Sequence, residues 1–324
     1  MSITDLRQMN SRQIAALLDE EARHWREELH WDYRGSLDLI KKFVDARSLA
    51  GGVALEDGQP AGYCFYVLEE HKALLGGLYV SSRWPQLRIA EELLDYTLQT
   101  LHVLPRVERI EAQLIPFGFD LSQTLAGRGF RLYPRHFMLL DLCTWPGAAP
   151  ADNASGRPPA AALAGLRLER WDDRYFAPCA RLIQLAYANH TDGEINDQYR
   201  SESGALKFLK NIILLPGCGR FQAQASFVLR PPHSHELAGV ILTSLVAPRV
   251  AHVTQICVMP GYQRHGVGRR LMESAMEVLR GRGVEELSLT VTAANERAVR
   301  LYRNIGFNTI KTFTAGVWLP NGLR

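Results

Sequence analysis

The stretch Val258–Leu271, VMPGYQRHGVGRRL, sets two glycines one residue apart among Arg and His side chains, directly after the apolar run HVTQICV. The run reads as a strand stopped by Pro260, and the amphipathic pattern RRLMESAMEVLRGRG reads as a helix opening near Gly268. A helix that opens from a turn leaves its first N–H groups without carbonyl partners. Gly266 and Gly268 carry no Cβ, so an anion can approach the main chain closely. Arg264, Arg269 and Arg270 add charge, and the helix end adds its own partial positive charge. The turn therefore reads as a phosphate cradle, against the plainer alternative of a glycine-bearing turn with no ligand. Two other phosphate motifs are excluded: a Walker loop needs GxxxxGK[ST], and a dinucleotide fingerprint needs a third glycine where Leu271 stands.

An ungapped partner stretch, VSSRWPQLRIAEEL, begins at Val80 and lacks both glycines. Gln86, Arg88 and Ala90 stand where the later copy has Arg264, Gly266 and Gly268. Around this pair the order of motifs repeats. PAGYCFYV answers LAGVILTS, RIEAQL answers ELSLTV, and GRGFRLYPRHFMLLDL answers NIGFNTIKTFTAGVWL. The register between matching positions stays nearly constant, which is the mark of an internal duplication. The expected architecture is mixed α/β: two tandem units, each a central mixed, mostly antiparallel sheet flanked by helices. The first helices are expected at Arg12–Leu29 and Leu37–Arg47, and their counterparts at Ala177–Ala188 and Gly204–Ile213. The segment from Thr144 to Gly165 is rich in Pro, Ala, Gly and Ser without apolar periodicity. The expected division is thus a degenerate unit at 1–143, a linker at 144–165 and a competent unit at 166–324.

The 324 residues suffice for two cores, and 47% hydrophobic with 22% charged residues is a globular balance. No apolar run suits a membrane span, and the N-terminus MSITDLRQMNSRQ has no secretory pattern, so a cytoplasmic protein is expected. The five cysteines form no CxxC pair, which argues against a disulfide framework or a metal site, and they read as buried thiols. The chain carries +3 overall, unevenly: Lys and Arg are outnumbered before Cys143 and in excess after it. The basic half is the half with the glycine turn. No Lys/Arg run and no alternation of basic with aromatic residues points to nucleic acid; a local anionic ligand fits better. Oligomeric state is not legible.

VxPxYQRHGVG followed by a helix, and then NERAVRLYRNIGF, resembles the GNAT superfamily of acyl-CoA N-acyltransferases. Gln263, Gly266 and Gly268 meet its first signature; Asn295, Ala298, Leu301, Tyr302, Gly306 and Phe307 meet the second. The resemblance is strong from about Leu166 to Leu319 and weak before Leu142. It implies acetyl-CoA as donor and an N-acetyltransferase acting on a primary amine of a small molecule, by direct attack in a ternary complex. It also implies that Gln263, Arg264, His265, Gly266, Val267, Gly268 and Arg269 hold the pyrophosphate. The strand Ile256, Cys257, Val258 would pair with the pantetheine amides, as an added strand would. Cys257 itself reads as a packed thiol. Asn295 suits either a helix cap or a cofactor contact. Tyr302 matches the family's general acid, and a phenol can protonate a departing thiolate.

The attacking amine must lose a proton, and His252 falls where related enzymes place a base; an ordinary imidazole suits the task, and ordered water is the alternative. Alternation would put His252 on one face with Thr254, Ile256 and Val258. The polar stretch YANHTDGEINDQYR offers Tyr187, His190, Asp192, Asp197 and Tyr199 to the acceptor, or is a solvated loop. A non-catalytic acyl-CoA sensor, a longer acyl donor and a protein amine acceptor remain open alternatives.

Overall fold

A computed structural model describes residues 1–148, 163, 165–234 and 236–320. Most of the expected linker lies outside the described residues. The chain forms two compact units, Met1–His136 with Lys311–Arg324, and Phe137–Ile310. The first carries β1 (Ser2–Asp5), α1 (Ala15–Leu29), α2 (Arg34–Asp45), β2 (Ala50–Glu56), β3 (Gln59–Glu69), β4 (Lys72–Val80), α3 (Gln86–His102), β5 (Arg109–Ala112), α4 (Ser122–Gly127) and the start of β6 (Arg131–Asp141). The second carries β7 (Arg167–Arg170), α5 (Phe176–Tyr187), α6 (Thr191–Ile195), α7 (Glu202–Leu214), β8 (Arg220–Phe221), β9 (Phe227–Arg230), β10 (Gly239–Ala247), β11 (Val250–Val258), α8 (Val267–Gly281), β12 (Glu286–Thr292), α9 (Glu296–Ile305) and the start of β13 (Asn308–Trp318). The expected early helices are present, shifted by a few residues at their ends.

In each unit the sheet is antiparallel up to one parallel step. In the first unit β1 to β4 pair antiparallel and β4 pairs β5 parallel; in the second, β7, β9, β10 and β11 pair antiparallel and β11 pairs β12 parallel. α3 and α8 supply the long amphipathic crossover over the parallel step. On α8, Leu271, Met272, Ala275, Met276 and Leu279 form a buried stripe at helical spacing and join the core under β10 and β11. The opposite face of the same strands packs Val240, Leu242 and Cys257 against Leu182, Ile183 and Leu209 of α5 and α7.

The unit boundaries differ from the sequence expectation at both ends. From Phe137 onward β6 belongs to the second unit, where Met138, Leu140 and Leu142 enter the core and Leu142 N–H donates to Glu285 O at 2.7 Å. From Lys311 onward β13 belongs to the first unit, where Gly316–Trp318 pair antiparallel with Ile110–Ala112. The final strand of each repeat thus finds its ladder and apolar partners in the other unit, which no local pattern encodes. The cysteine reading needs correction too. Cys64, Cys179 and Cys257 are buried, but Cys143 is exposed and Cys218 intermediate; all five are free thiols.

Inside the first unit, Glu21 of α1 is buried and accepts hydrogen bonds from Tyr63 Oη and, at 3.3 Å, from Trp25 Nε1. Burial pushes its carboxyl from the ordinary 4.5 up to about 7, against the lowering effect of those two donors. Between these values the folded protein keeps a proton that the unfolded chain has lost, so stability falls as pH rises through the window. Glu21→Gln is expected to remove this slope in urea unfolding, by on the order of 3 kcal/mol across the window. An identical slope in the variant would show that Glu21 ionises normally.

Candidate active site

The cradle at the end of β11 is built by backbone conformation. Pro260 opens a 3-10 turn, Arg264 and Gly266 take left-handed φ values of 68° and 80°, and α8 begins at Val267. The N-cap residue, Gly266, gives the helix no side-chain cap, so the first amides of α8 receive no partner from it. Around them Arg264 and His265 are exposed, and Arg269 is held by Glu273 at 3.3 Å. A Cβ built on Gly268 would meet only ordinary contacts, 3.5 Å from Leu301 and 3.7 Å from Val258. The protein's own packing therefore does not demand glycine there. Gln263 locks the turn, donating from Nε2 to Val258 O at 3.3 Å and accepting from Arg297 Nη1 at 2.7 Å.

The corresponding turn of the first unit is closed by its own side chains. Gln86 Nε2 donates to Val80 O at 2.9 Å and Phe117 O at 3.0 Å, Arg88 pairs with Glu56 and Glu92, and Ala90 is fully buried. Where the second unit presents bare main chain, the first presents side chains already engaged.

Beside the cradle, β11 leaves β12. Their parallel ladder runs from Val250↔Glu286 to Val253↔Leu289 and stops there, while β11 continues to pair with β10 as far as Val258. The separation begins at a bulge: Leu242 pairs Gln255 and Thr243 pairs Val253, so Thr254 is the extra residue. Beyond it, no strand among the described residues pairs with the edge at Ile256, Cys257 and Val258 on the β12 side. The first unit repeats this geometry, with its bulge at Gly76 and its ladder ending at Leu75↔Ala112.

The bulge also overturns the expected alternation. Ala251 and Val253 lie on the α8 face, and after the extra residue Ile256 and Val258 lie there too. His252 is on the other face, opposite Ser244 in the register, and shares it with Gln255 and Cys257. It is thus separated from Ile256 and Val258, because one inserted residue inverts the strand's parity. The His252 ring lies 5.8 Å from that of Phe137, and its Nδ1 is 2.9 Å from Ser288 Oγ.

Several of the acceptor candidates gather on this face. Tyr187 Oη lies 3.4 Å from both Gln255 Oε1 and Ile256 O, and its ring stacks on Tyr199 at 4.6 Å and meets His190 edge-on at 5.5 Å. His190 Nδ1 caps α6 by accepting from Asp192 N–H at 3.1 Å, and Asp192 accepts a hydrogen bond from Thr292 Oγ1 at the end of β12. Asp197 instead opens a 3-10 turn, Asp197–Arg200. The stretch is structured, so the solvated-loop reading does not hold.

Tyr302 lies on α9, only 6% exposed, edge-on to Phe307 at 5.9 Å. Burial holds its phenol above the ordinary value, and the charges of Asp192 and Cys257 push the same way. Tyr187 is raised in the same manner, burial first, then Cys257 and Tyr199. Mutual influence of this kind brings Tyr187, Asp192, Cys257 and Tyr302 into one neighbourhood. Burial also pushes the Cys257 thiol up, which keeps it protonated and makes it a poor nucleophile. Asn295 is the α9 N-cap: its Oδ1 accepts from Ala298 N–H at 3.2 Å. Gln255, Ser288 and Thr292 were missed in the sequence. Their only signal is polarity inside the apolar runs HVTQICV and ELSLTVT.

Residues 196–307, within the second unit, match the acetyltransferase (GNAT) family. Over 73 residues the chain is 41% identical to the [ribosomal protein bS18]-alanine N-acetyltransferase of Escherichia coli (strain K12), covering 22% of this chain and 49% of that protein. Over 53 residues it is 45% identical to the mycothiol acetyltransferase of Beutenbergia cavernae, covering 16% of this chain and 18% of that protein. The chain spans about half the length of the ribosomal-protein acetyltransferases it matches. A solved tandem GNAT protein from the clavulanic acid biosynthesis pathway aligns over 98% of both chains, with a TM-score of 0.60 at 16% identity. A GCN5-related N-acetyltransferase from Sphaerobacter thermophilus aligns over 84% of this chain and 80% of its own, with a TM-score of 0.59 at 16% identity. At such identities the likeness is one of fold, and it extends over both units. Among the described residues no group suited to a metal ion occurs, and no helix is long and apolar enough to cross a membrane.

Proposed function

We propose that the second unit transfers an acetyl group from acetyl-CoA to the primary amine of a small molecule, by direct attack in a ternary complex. One observation carries this reading: β11 parts from β12 at Val253 beside a helix whose N-terminus is led by glycine and lacks a side-chain cap. An opened strand edge suits peptide-like amides, and uncapped helix amides suit a pyrophosphate. On these grounds Ile256, Cys257 and Val258 would hold the pantetheine arm, and Gln263, Arg264, His265, Gly266, Val267, Gly268 and Arg269 the pyrophosphate, with Asn295 near the α9 end. When bound there, the coenzyme supplies an activated acyl thioester.

The protein's own groups then handle protons and orientation. Tyr302 keeps its proton on Oη at working pH and can yield it to a thiolate in the same low-dielectric neighbourhood. His252 is the candidate base for the acceptor ammonium. Asp192 gives that ammonium a carboxylate near Tyr302, while Tyr187, Tyr199 and His190 wall the approach; Asp197 stays a peripheral candidate. The first unit, its turn closed by Gln86 and Arg88, acts as scaffold. A consumer of acetyl-CoA works where the coenzyme is held, which favours the cytoplasm.

A second reading, in which the acceptor is a protein α-amine, is favoured by the name of the Escherichia coli relative. A screen of small amines against peptides with free N-termini, read by release of the coenzyme thiol, separates the two. Thiol release with neither class would overturn both. His252→Ala is expected to slow turnover at least about tenfold and to abolish the acid limb of the rate profile, because a protonated imidazole cannot accept a proton. A limb that persists unchanged would leave the role to water.

A further inference from the structure

We infer that Ser288 is a positioning residue that fixes the tautomer of His252, placing the ring proton on Nδ1 and leaving Nε2 as the acceptor nitrogen. The inference rests on the reading of His252 as the base. Ser288 stands directly beside His252 in the parallel ladder of β11 and β12, and it is fully buried. Its Oγ lies 3.2 Å from Ala251 O and 2.9 Å from His252 Nδ1. A carbonyl oxygen can only accept, so the single hydroxyl proton is committed to Ala251 O. Toward the imidazole the same oxygen can then offer only a lone pair, and Nδ1 must be the donor. A neutral imidazole carries one N–H, so Nε2 keeps its lone pair.

The arrangement serves both protonation states. When Nε2 takes a proton from the acceptor ammonium, Nδ1–H remains on Ser288 and the bond survives; the imidazolium later returns the Nε2 proton to solvent. Phe137, stacked 26° from the ring plane, limits reorientation. The first unit shows what replaces the pair when it is absent. Leu74 and Glu111 occupy the same ladder step, and Glu111 is engaged by Lys72 at 3.3 Å and Arg109 at 2.6 Å. The serine–histidine pair thus accompanies the bare cradle and is missing where the cradle is closed.

The test uses the full chain labelled with nitrogen-15 in histidine. Long-range proton–nitrogen correlations at a pH where His252 is neutral are expected to show the Nδ1–H tautomer, with His252→Ala assigning the signals. Ser288→Ala should move the ring toward the Nε2–H form and lower kcat roughly tenfold, with the KM for acetyl-CoA changed less than about twofold. Ser288→Thr, which keeps Oγ, should restore both. Ser244→Ala is the control: its buried Oγ faces His252 from β10 and has no hydrogen-bond partner among the described residues, so the tautomer should not change. A wild-type ring protonated on Nε2, or a tautomer indifferent to Ser288→Ala, overturns the inference. The wild-type spectrum decides this without any variant having to fold. Normal turnover by His252→Ala would instead remove the base reading, while the spectra still judge the role of Ser288.

Discussion

Replacing Tyr302 by Phe is expected to lower kcat by about 100-fold to 1,000-fold while leaving the affinity for acetyl-CoA within about threefold of wild type, the range for a single general acid. The structural reason is the setting of the hydroxyl. Tyr302 is anchored by the α9 face that also buries Val299 and Ile305, and Phe keeps that packing intact. Only the hydroxyl is removed. Because burial and the charge of Asp192 hold the phenol above its ordinary value, Oη stays protonated across the physiological range. Steady-state kinetics with calorimetry of coenzyme binding would separate the two effects. A variant with unchanged kcat would take Tyr302 out of the chemistry; one with unchanged kcat and weaker coenzyme binding would reassign it to the donor site.

Gly266→Arg is expected to weaken coenzyme binding more than about 100-fold, since a charge-assisted hydrogen bond is worth roughly 1.5–3 kcal/mol and the side chain would displace more than one. The substitution copies the first unit, where Arg88 stands at this position and pairs with Glu56. Part of any loss could come from the backbone, because φ at Gly266 is 80° and an L-residue there costs about 1–2 kcal/mol. Gly266→Ala carries that strain without the bulk, and it should retain most of the binding. Wild-type protein should bind one coenzyme per chain by calorimetry. Two equivalent sites, or an unaffected Gly266→Arg, would show that the cradle is not where the coenzyme sits.

The glycine turn and the candidate tyrosine were legible because each is written locally. A glycine pair between a strand and a helix, and a tyrosine two turns after a cap, depend only on residues a few positions apart. The duplication was equally visible, since it is a matter of register along one chain. The face of His252 was not. Alternation grouped it with Ile256 and Val258, and the bulge at Thr254 moved it beside Gln255 and Cys257. A bulge of this kind arises from pairing between strands, and Thr254 has nothing in its own identity that demands one. Ser288 stayed hidden for the same reason: its importance comes from a ladder step opposite His252, far away in sequence.

By itself, then, the sequence determined a tandem mixed α/β chain with one bare glycine turn and one copy without it, because helix starts, glycine turns and repeats are short-range properties. Tertiary structure decided where each repeat ends and what His252 touches. Residues from Phe137 and from Lys311 join the unit that offers them a ladder and a core, and the imidazole meets the hydroxyl of a neighbouring strand. Those outcomes are set by which strand edges are left unpaired once all the others have formed, a condition of the whole fold that no window of sequence contains.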